Sequence, residues 1–128
     1  MNTDRHVAVW IDHKEARVFH VSAEGADAVT IRAPHAHVHR HPRGPEGAHE
    51  HPEDAARFFR EVARALDGAE EILIVGPSTA KLELVKYLHK HEHALEPKIV
   101  GIETVDHPTD GQLVAYVQRY FRAADRMR

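Results

Sequence analysis

The 128-residue chain contains no cysteine. That excludes disulfide frameworks, thiolate zinc sites, iron–sulfur clusters and cysteine nucleophiles. It also lacks any apolar run near the ~18 residues that suggest a membrane span, so no membrane partner is expected. The opening Met1-Asn2-Thr3-Asp4-Arg5-His6 does not lead into a secretory hydrophobic segment, and the cytoplasm is the default expectation. Aromatic residues make up only 6% of the chain, with a single tryptophan. The formal charge is −3, so bulk charge does not point to nucleic acid at neutral pH, although a local basic face still can.

What is present is an ordinary globular composition, 42% hydrophobic and 29% charged, in a length that suits one domain over residues 1–128. The unusual feature is histidine, at 13 residues. Adding 13 charges to −3 would reach +10, so falling pH would make such a chain strongly cationic wherever its histidines are exposed.

Hydrophobic periodicity organises the chain. His6 to Asp12 places Val7, Val9 and Ile11 on one face and Ala8 and Trp10 on the other. Two apolar faces indicate a central strand covered on both sides. The polar turn Asp12-His13-Lys14 precedes a second strand, Ala16 to Val21. A turn at Ala23-Glu24-Gly25 then leads to a third, Ala28 to Arg32, so the first third is a three-strand antiparallel meander. Residues 34–51 break the pattern with Pro34, Pro42, Gly44, Pro45, Gly47 and a cluster of histidines, and read as one long exposed loop. Loops of that length in compact domains are usually functional or disordered.

The rhythm then becomes alternating strand and helix. Pro52-Glu53-Asp54 opens a helix with the stripe Ala55, Phe58, Phe59, Val62 and Leu66, and Gly68 stops it. Glu71 to Val75 is a buried-strand run ending at Gly76. A second helix starts near Ser78, read as its cap, and carries Leu82, Leu84, Val85, Tyr87 and Leu88. Lys98 to Val105 is a further strand. Thr109-Asp110-Gly111-Gln112 has capping-box spacing ahead of a last helix with the stripe Leu113, Tyr116, Val117 and Tyr120. The order βββαβαβα, an antiparallel meander followed by parallel right-handed crossovers, matches a ribonuclease-H-like α/β architecture with a mixed sheet.

Four groups of residues carry candidate chemistry. His35, His37, His39 and His41 alternate, and His49 and His51 follow. Alternate residues of an extended chain share one side, so several imidazoles could meet on Zn²⁺, Ni²⁺ or Cu²⁺, although no recognised ligand spacing is completed. His89, His91 and His93 form a smaller cluster at a helix end. Asp12, Glu103, Asp106 and Asp110 fall at strand ends and the following helical turn, where two-metal nucleases of this architecture hold carboxylates. The same positions also suit turns and helix starts. Gly76-Pro77-Ser78-Thr79-Ala80-Lys81 is a strand-to-helix turn that could hold a phosphate, but it lacks the second glycine of a P-loop. Arg119, Arg122, Arg126 and Arg128 crowd the C-terminus. With Lys81, Lys86, Lys90, Lys98, Arg40 and Arg43 they could contact RNA phosphates, or simply form solvated helix faces.

A family resemblance enters here. Val7-Ala8-Val9-Trp10-Ile11-Asp12, a turn and Glu15-Ala16-Arg17-Val18-Phe19 resemble the opening hairpin of the middle domain of archaeal and eukaryotic peptide release factors and pelota. Glu71 to Gly76 with Lys81 beyond it, the strand Lys98 to Val105 and the helix near Gly111 extend the likeness over roughly residues 6–121, as pattern more than identity. The sequence also looks like small bacterial proteins labelled "translational machinery protein", through Ile74-Val75-Gly76-Pro77, Glu103 to Pro108 and Asp110 to Tyr116.

The resemblance implies a ribosome or rRNA partner. In release factors the loop between the third strand and the first helix carries a Gly-Gly-Gln tripeptide. Here the corresponding loop reads His41-Pro42-Arg43-Gly44-Pro45-Glu46-Gly47, without the tripeptide. The expectation is therefore a non-catalytic ribosome- or RNA-associated factor of rescue or hibernation type that requires no cofactor. Arg40, Arg43, Lys81, Arg119, Arg122 and Arg126 would be its contacts. Three alternatives stay open: a metal- or pH-responsive protein binding Zn or Ni at the histidine loop, a nuclease on Asp12 and Asp106, and a homodimeric assembly.

Overall fold

The computed structural model describes residues 6–22, 24–34 and 52–126. The chain order is β1 (His6–Ile11), β2 (Glu15–Ser22), β3 (Gly25–Arg32), α1 (Pro52–Ala65), β4 (Glu71–Gly76), α2 (Ala80–His91), a 3₁₀ turn (Glu96–Lys98), β5 (Ile99–Thr104) and α3 (Asp110–Arg126). The five strands form one mixed sheet in the order β3-β2-β1-β4-β5. β1 pairs antiparallel with β2 and parallel with β4, while β2–β3 is antiparallel and β4–β5 parallel. The expected α/β mixed sheet, a meander followed by parallel strands, is the one observed.

The two-faced pattern of β1 explains the layering. Val7, Val9 and Ile11 join Val18, Ile72 and Ile74 beneath Phe58, Val62 and Leu66 of α1 and Leu84 and Leu88 of α2. Ala8 and Trp10 join Phe19, Leu73 and Val75 beneath Leu113, Val117 and Phe121 of α3. Every β1 residue from Val7 to Ile11 is at most 1% exposed. At roughly 1.5–3 kcal/mol per buried aliphatic side chain, this central strand anchors both layers.

The helix ends follow local chemistry. Gly68 sits at φ 88°, in the left-handed region that favours glycine, just beyond the end of α1. Thr109 and Gln112 form the expected capping box. The Gln112 amide N–H donates to Thr109 Oγ1 at 3.1 Å, and the Thr109 N–H donates to Gln112 Oε1 at 3.0 Å. At α2 the expectation fails. Its N-cap is Thr79, not Ser78, and no side chain caps it.

One apolar residue that α2 carries lies off its buried side. Leu82 is 48% exposed, because it lies two residues, about 200° of helix rotation, from Leu84 at the centre of the buried line Ala80–Leu84–Leu88. On α3 the expected stripe is the one that packs: Leu113 and Val117 are buried with Phe121, and Tyr116 and Tyr120 lie partly buried against the same cluster. The register of β4 and β5 shifts between Ile72 and Leu73, leaving Val100 as an extra residue. Tyr120 Oη donates to that residue's carbonyl at 3.2 Å, tying α3 to the bulged segment.

Candidate nucleic-acid interface

The pairing pattern runs β1, β3, β4 and β5 in one direction, so their carboxyl ends share one edge of the sheet. Open α/β sheets bind ligands outside that edge. Residues 35–51 begin just past the carboxyl end of β3, so the histidine segment is rooted there. The imidazoles of His35, His37, His39, His41, His49 and His51, together with Arg40, Arg43 and the Arg126 side chain, lie outside the described residues.

Three elements of the edge are tied together around Trp10. Its indole N–H donates to the Asp106 carbonyl at 2.8 Å. The Arg17 guanidinium lies 4.5 Å from the centre of the indole ring, donates to the Asp110 carboxylate and reaches the Pro108 carbonyl at 3.5 Å. This cation–π and ion-pair arrangement binds β2 to the start of α3. His107 stands beside the same ring, with Nδ1 3.0 Å from Asp106 Oδ1 and Nε2 3.7 Å from Asp12 Oδ2. No local pattern singles out Arg17 or His107, because the contacts that join them to other elements, Arg17 to Asp110 and His107 to Trp10 and Asp12, span more than ninety residues of sequence.

The four candidate carboxylates are each engaged by protein groups, Asp12 and Asp106 sharing His107. Asp12 Oδ1 accepts the N–H groups of Lys14 and Glu15 at 2.8 and 2.9 Å, shaping the β1–β2 turn. Asp106 pairs with His107, Asp110 with Arg17, and Glu103 takes the Tyr116 hydroxyl at 3.4 Å. Among the described residues, no three histidine or acidic groups are placed to hold a metal ion.

Glu103 also acts on two tyrosines of α3. Burial, then the Glu103 charge, raises the pKa of both Tyr116 and Tyr120 above the ordinary tyrosine value. The native state therefore keeps protons that the unfolded chain loses above about pH 10, so stability falls as pH rises through that range. Replacing both tyrosines with phenylalanine is expected to flatten the alkaline decline, read from urea midpoints at increasing pH. An unchanged decline would contradict the assignment.

The basic candidates divide. Lys81 is only 8% exposed, and its ammonium donates to the Ser78 carbonyl at 2.7 Å. It thereby closes its own turn, with its stem buried rather than standing free in solvent. The same bond occupies the cation of the candidate phosphate turn. Arg119 and Arg122 are exposed, at positions opposite the buried Leu113–Val117–Phe121 line of α3, and so share its solvent face. Around α2, an open depression of about 380 Å³ is lined by Val85, Lys86, His89, Lys90 and Glu96. His89 Nδ1 lies 3.0 Å from Glu96 Oε2 there.

The sequence matches no protein-family model and no curated protein. Solved structures do match. The Pelota protein of Thermoplasma acidophilum superposes with a TM-score of 0.63 at 17% identity, over 88% of this chain and 31% of its own. Dom34 of S. cerevisiae, a translation termination-like factor involved in RNA quality control pathways and interacting with Hbs1, gives 0.57 at 13% identity, over 91% and 35%. An archaeal translation termination factor, aRF1, gives 0.56 at 13% identity, over 95% and 38%. This chain thus spans about a third of the length of these proteins. The likeness to pelota and archaeal release factors expected from the sequence is present in the fold.

Proposed function

We propose that this chain is a ribosome-associated translation factor of rescue or hibernation type that acts by binding, without hydrolysing peptidyl-tRNA. The observation that carries this reading is the fold likeness to Pelota, Dom34 and aRF1 over most of the chain. Two features support it. The β3–α1 segment, which holds the hydrolytic tripeptide in release factors, is rooted at the carboxyl edge of the sheet, and the sequence contains no Gly-Gly-Gln. The outer face of α3 offers Arg119 and Arg122 to phosphates, with Arg126 four residues further on and Arg40 and Arg43 in the 35–51 segment.

Phosphate contacts release counterions, so the association is expected to weaken steeply with salt. Reversing Arg119 and Arg122 to glutamate is expected to reduce binding to purified ribosomes by about tenfold or more at low salt. Ribosome pelleting with unchanged affinity in that variant would remove α3 from the interface. Failure of the wild-type protein to pellet would remove the function.

A further inference from the structure

The second helical layer carries a cationic face that the reading above does not use. Arg57, Arg60 and Arg64 fall at i, i+3 and i+7 on α1, and all three are exposed. On an α-helix this spacing stacks them along one side, over about 10 Å of axis. That side is opposite the buried line Phe58–Val62–Leu66 and points away from the sheet. The neighbouring α2 repeats the pattern, with Lys86 and Lys90 exposed on its outer side. The two helices touch through Phe59 and Tyr87, whose rings lie 5.7 Å apart, so their outer sides form one surface.

No ion pair joins any of these five cations to another described residue. Of the acids nearby, Glu83 is engaged by His13 at 3.3 Å and Glu96 by His89 at 3.0 Å, while exposed Glu61 lies about 40° and 60° around α1 from Arg57 and Arg64 and exposed Asp67 follows Arg64 by three residues, neither of them ion-paired with the arginines. A stability role for this arrangement is small, since the three arginines form no ion pair and repel one another, and only Arg64, in the last turn of α1, gains from the helix dipole. Exposed Leu82, one helical turn before Lys86, gives the same surface an apolar spot beside its cations. Arginine forks matched to phosphate oxygens, flanked by an apolar contact for ribose or base, are the chemistry of RNA backbone recognition.

We infer that the α1–α2 layer is a second RNA-binding face, on the side of the sheet opposite the α3 arginines, so that the domain is gripped by RNA from both sides. This inference rests on the proposed ribosome association. Its test uses the intact chain, a labelled RNA stem-loop and purified ribosomes. The Arg57→Gln/Arg60→Gln/Arg64→Gln variant is expected to bind the stem-loop about tenfold or more weakly at low salt. Its slope of log affinity against log salt should fall by about 2 to 3. The Arg→Lys counterpart should keep the charge and most of the slope, and circular dichroism should show both variants folded. If the wild type binds RNA and loses affinity on Arg119/Arg122 reversal but not in the α1 variant, the second face is refuted while the function stands. If the wild type binds neither RNA nor ribosomes, both fall. Binding to phosphatidylserine vesicles in place of RNA, lost in the α1 variant, would also overturn the RNA assignment.

Discussion

Replacing Gly76 with alanine is expected to lower the unfolding free energy by about 3 kcal/mol, the upper range for overpacking a tight interior. A β-carbon at this position would overlap the backbone carbonyl oxygen of Ile11. The obstacle is main chain, not the tip of a flexible side chain, so relief requires moving β1 away from β4. Both strands are central, and Ile11 and Val75 are completely buried. Gly76 also accepts the Val105 N–H at 3.1 Å, so displacement there would pull on the exit of β5. Urea denaturation followed by circular dichroism would show a lower midpoint with an unchanged slope. A loss of less than about 0.5 kcal/mol, typical of neutral surface changes, would show that the β1–β4 spacing has been misjudged.

Trp10→Ala is expected to cost more, about 3–5 kcal/mol, as for other large buried aromatics. The side chain is 1% exposed, and its loss opens a cavity beneath α3. It also removes the surface on which the Arg17 guanidinium rests and the donor that holds the Asp106 carbonyl. Trp10→Phe separates the contributions. It retains most of the packing and forfeits the hydrogen bond, for a loss of about 1 kcal/mol beyond the change in volume. Equal stability of wild type and Trp10→Ala would contradict the packing described. Because Trp10 is the chain's single tryptophan, circular dichroism is the common probe for all three proteins.

These two residues also show what can be read from the sequence. The alternation Val7-Ala8-Val9-Trp10-Ile11 marks a strand apolar on both faces, and such a strand belongs in the middle of a layered sheet. The structure places it there. The capping box at Thr109 and Gln112 was equally legible, since its partners are three residues apart. The exposure of Leu82 is not legible in its hydrophobicity, because the apolar residues of α2 span a wider arc than one sheet covers. The burial of Lys81 is not legible either, because lysine by itself suggests a surface cation. Its place three residues before Leu84 instead turns its stem inward, with the ammonium returned to a carbonyl of its own turn.

The candidate site was less legible than the fold. Asp12, Asp106 and Asp110 look alike as acids near strand ends. Their roles depend on Lys14, His107 and Arg17, and the last of these reaches Asp110 across 93 residues of sequence. The donation from His20 Nε2 to the Ala65 carbonyl at the end of α1, at 3.0 Å, is another pairing that no local pattern announces. The α1 arginines were open to detection, because their i, i+3, i+7 spacing is the same signal that identified the apolar stripes.

The histidine excess that distinguishes this chain is concentrated between His35 and His51, in the segment rooted at the carboxyl edge. On the function proposed above, the chain should be found with ribosomes in the cell. The most direct measurement is sedimentation of native lysate through a sucrose cushion over a series of salt concentrations, with the protein followed by immunoblot. The account predicts that the chain pellets with ribosomes at low salt and leaves them progressively as salt rises. Its absence from the ribosomal pellet at low salt, in growing and stationary cells alike, would contradict it.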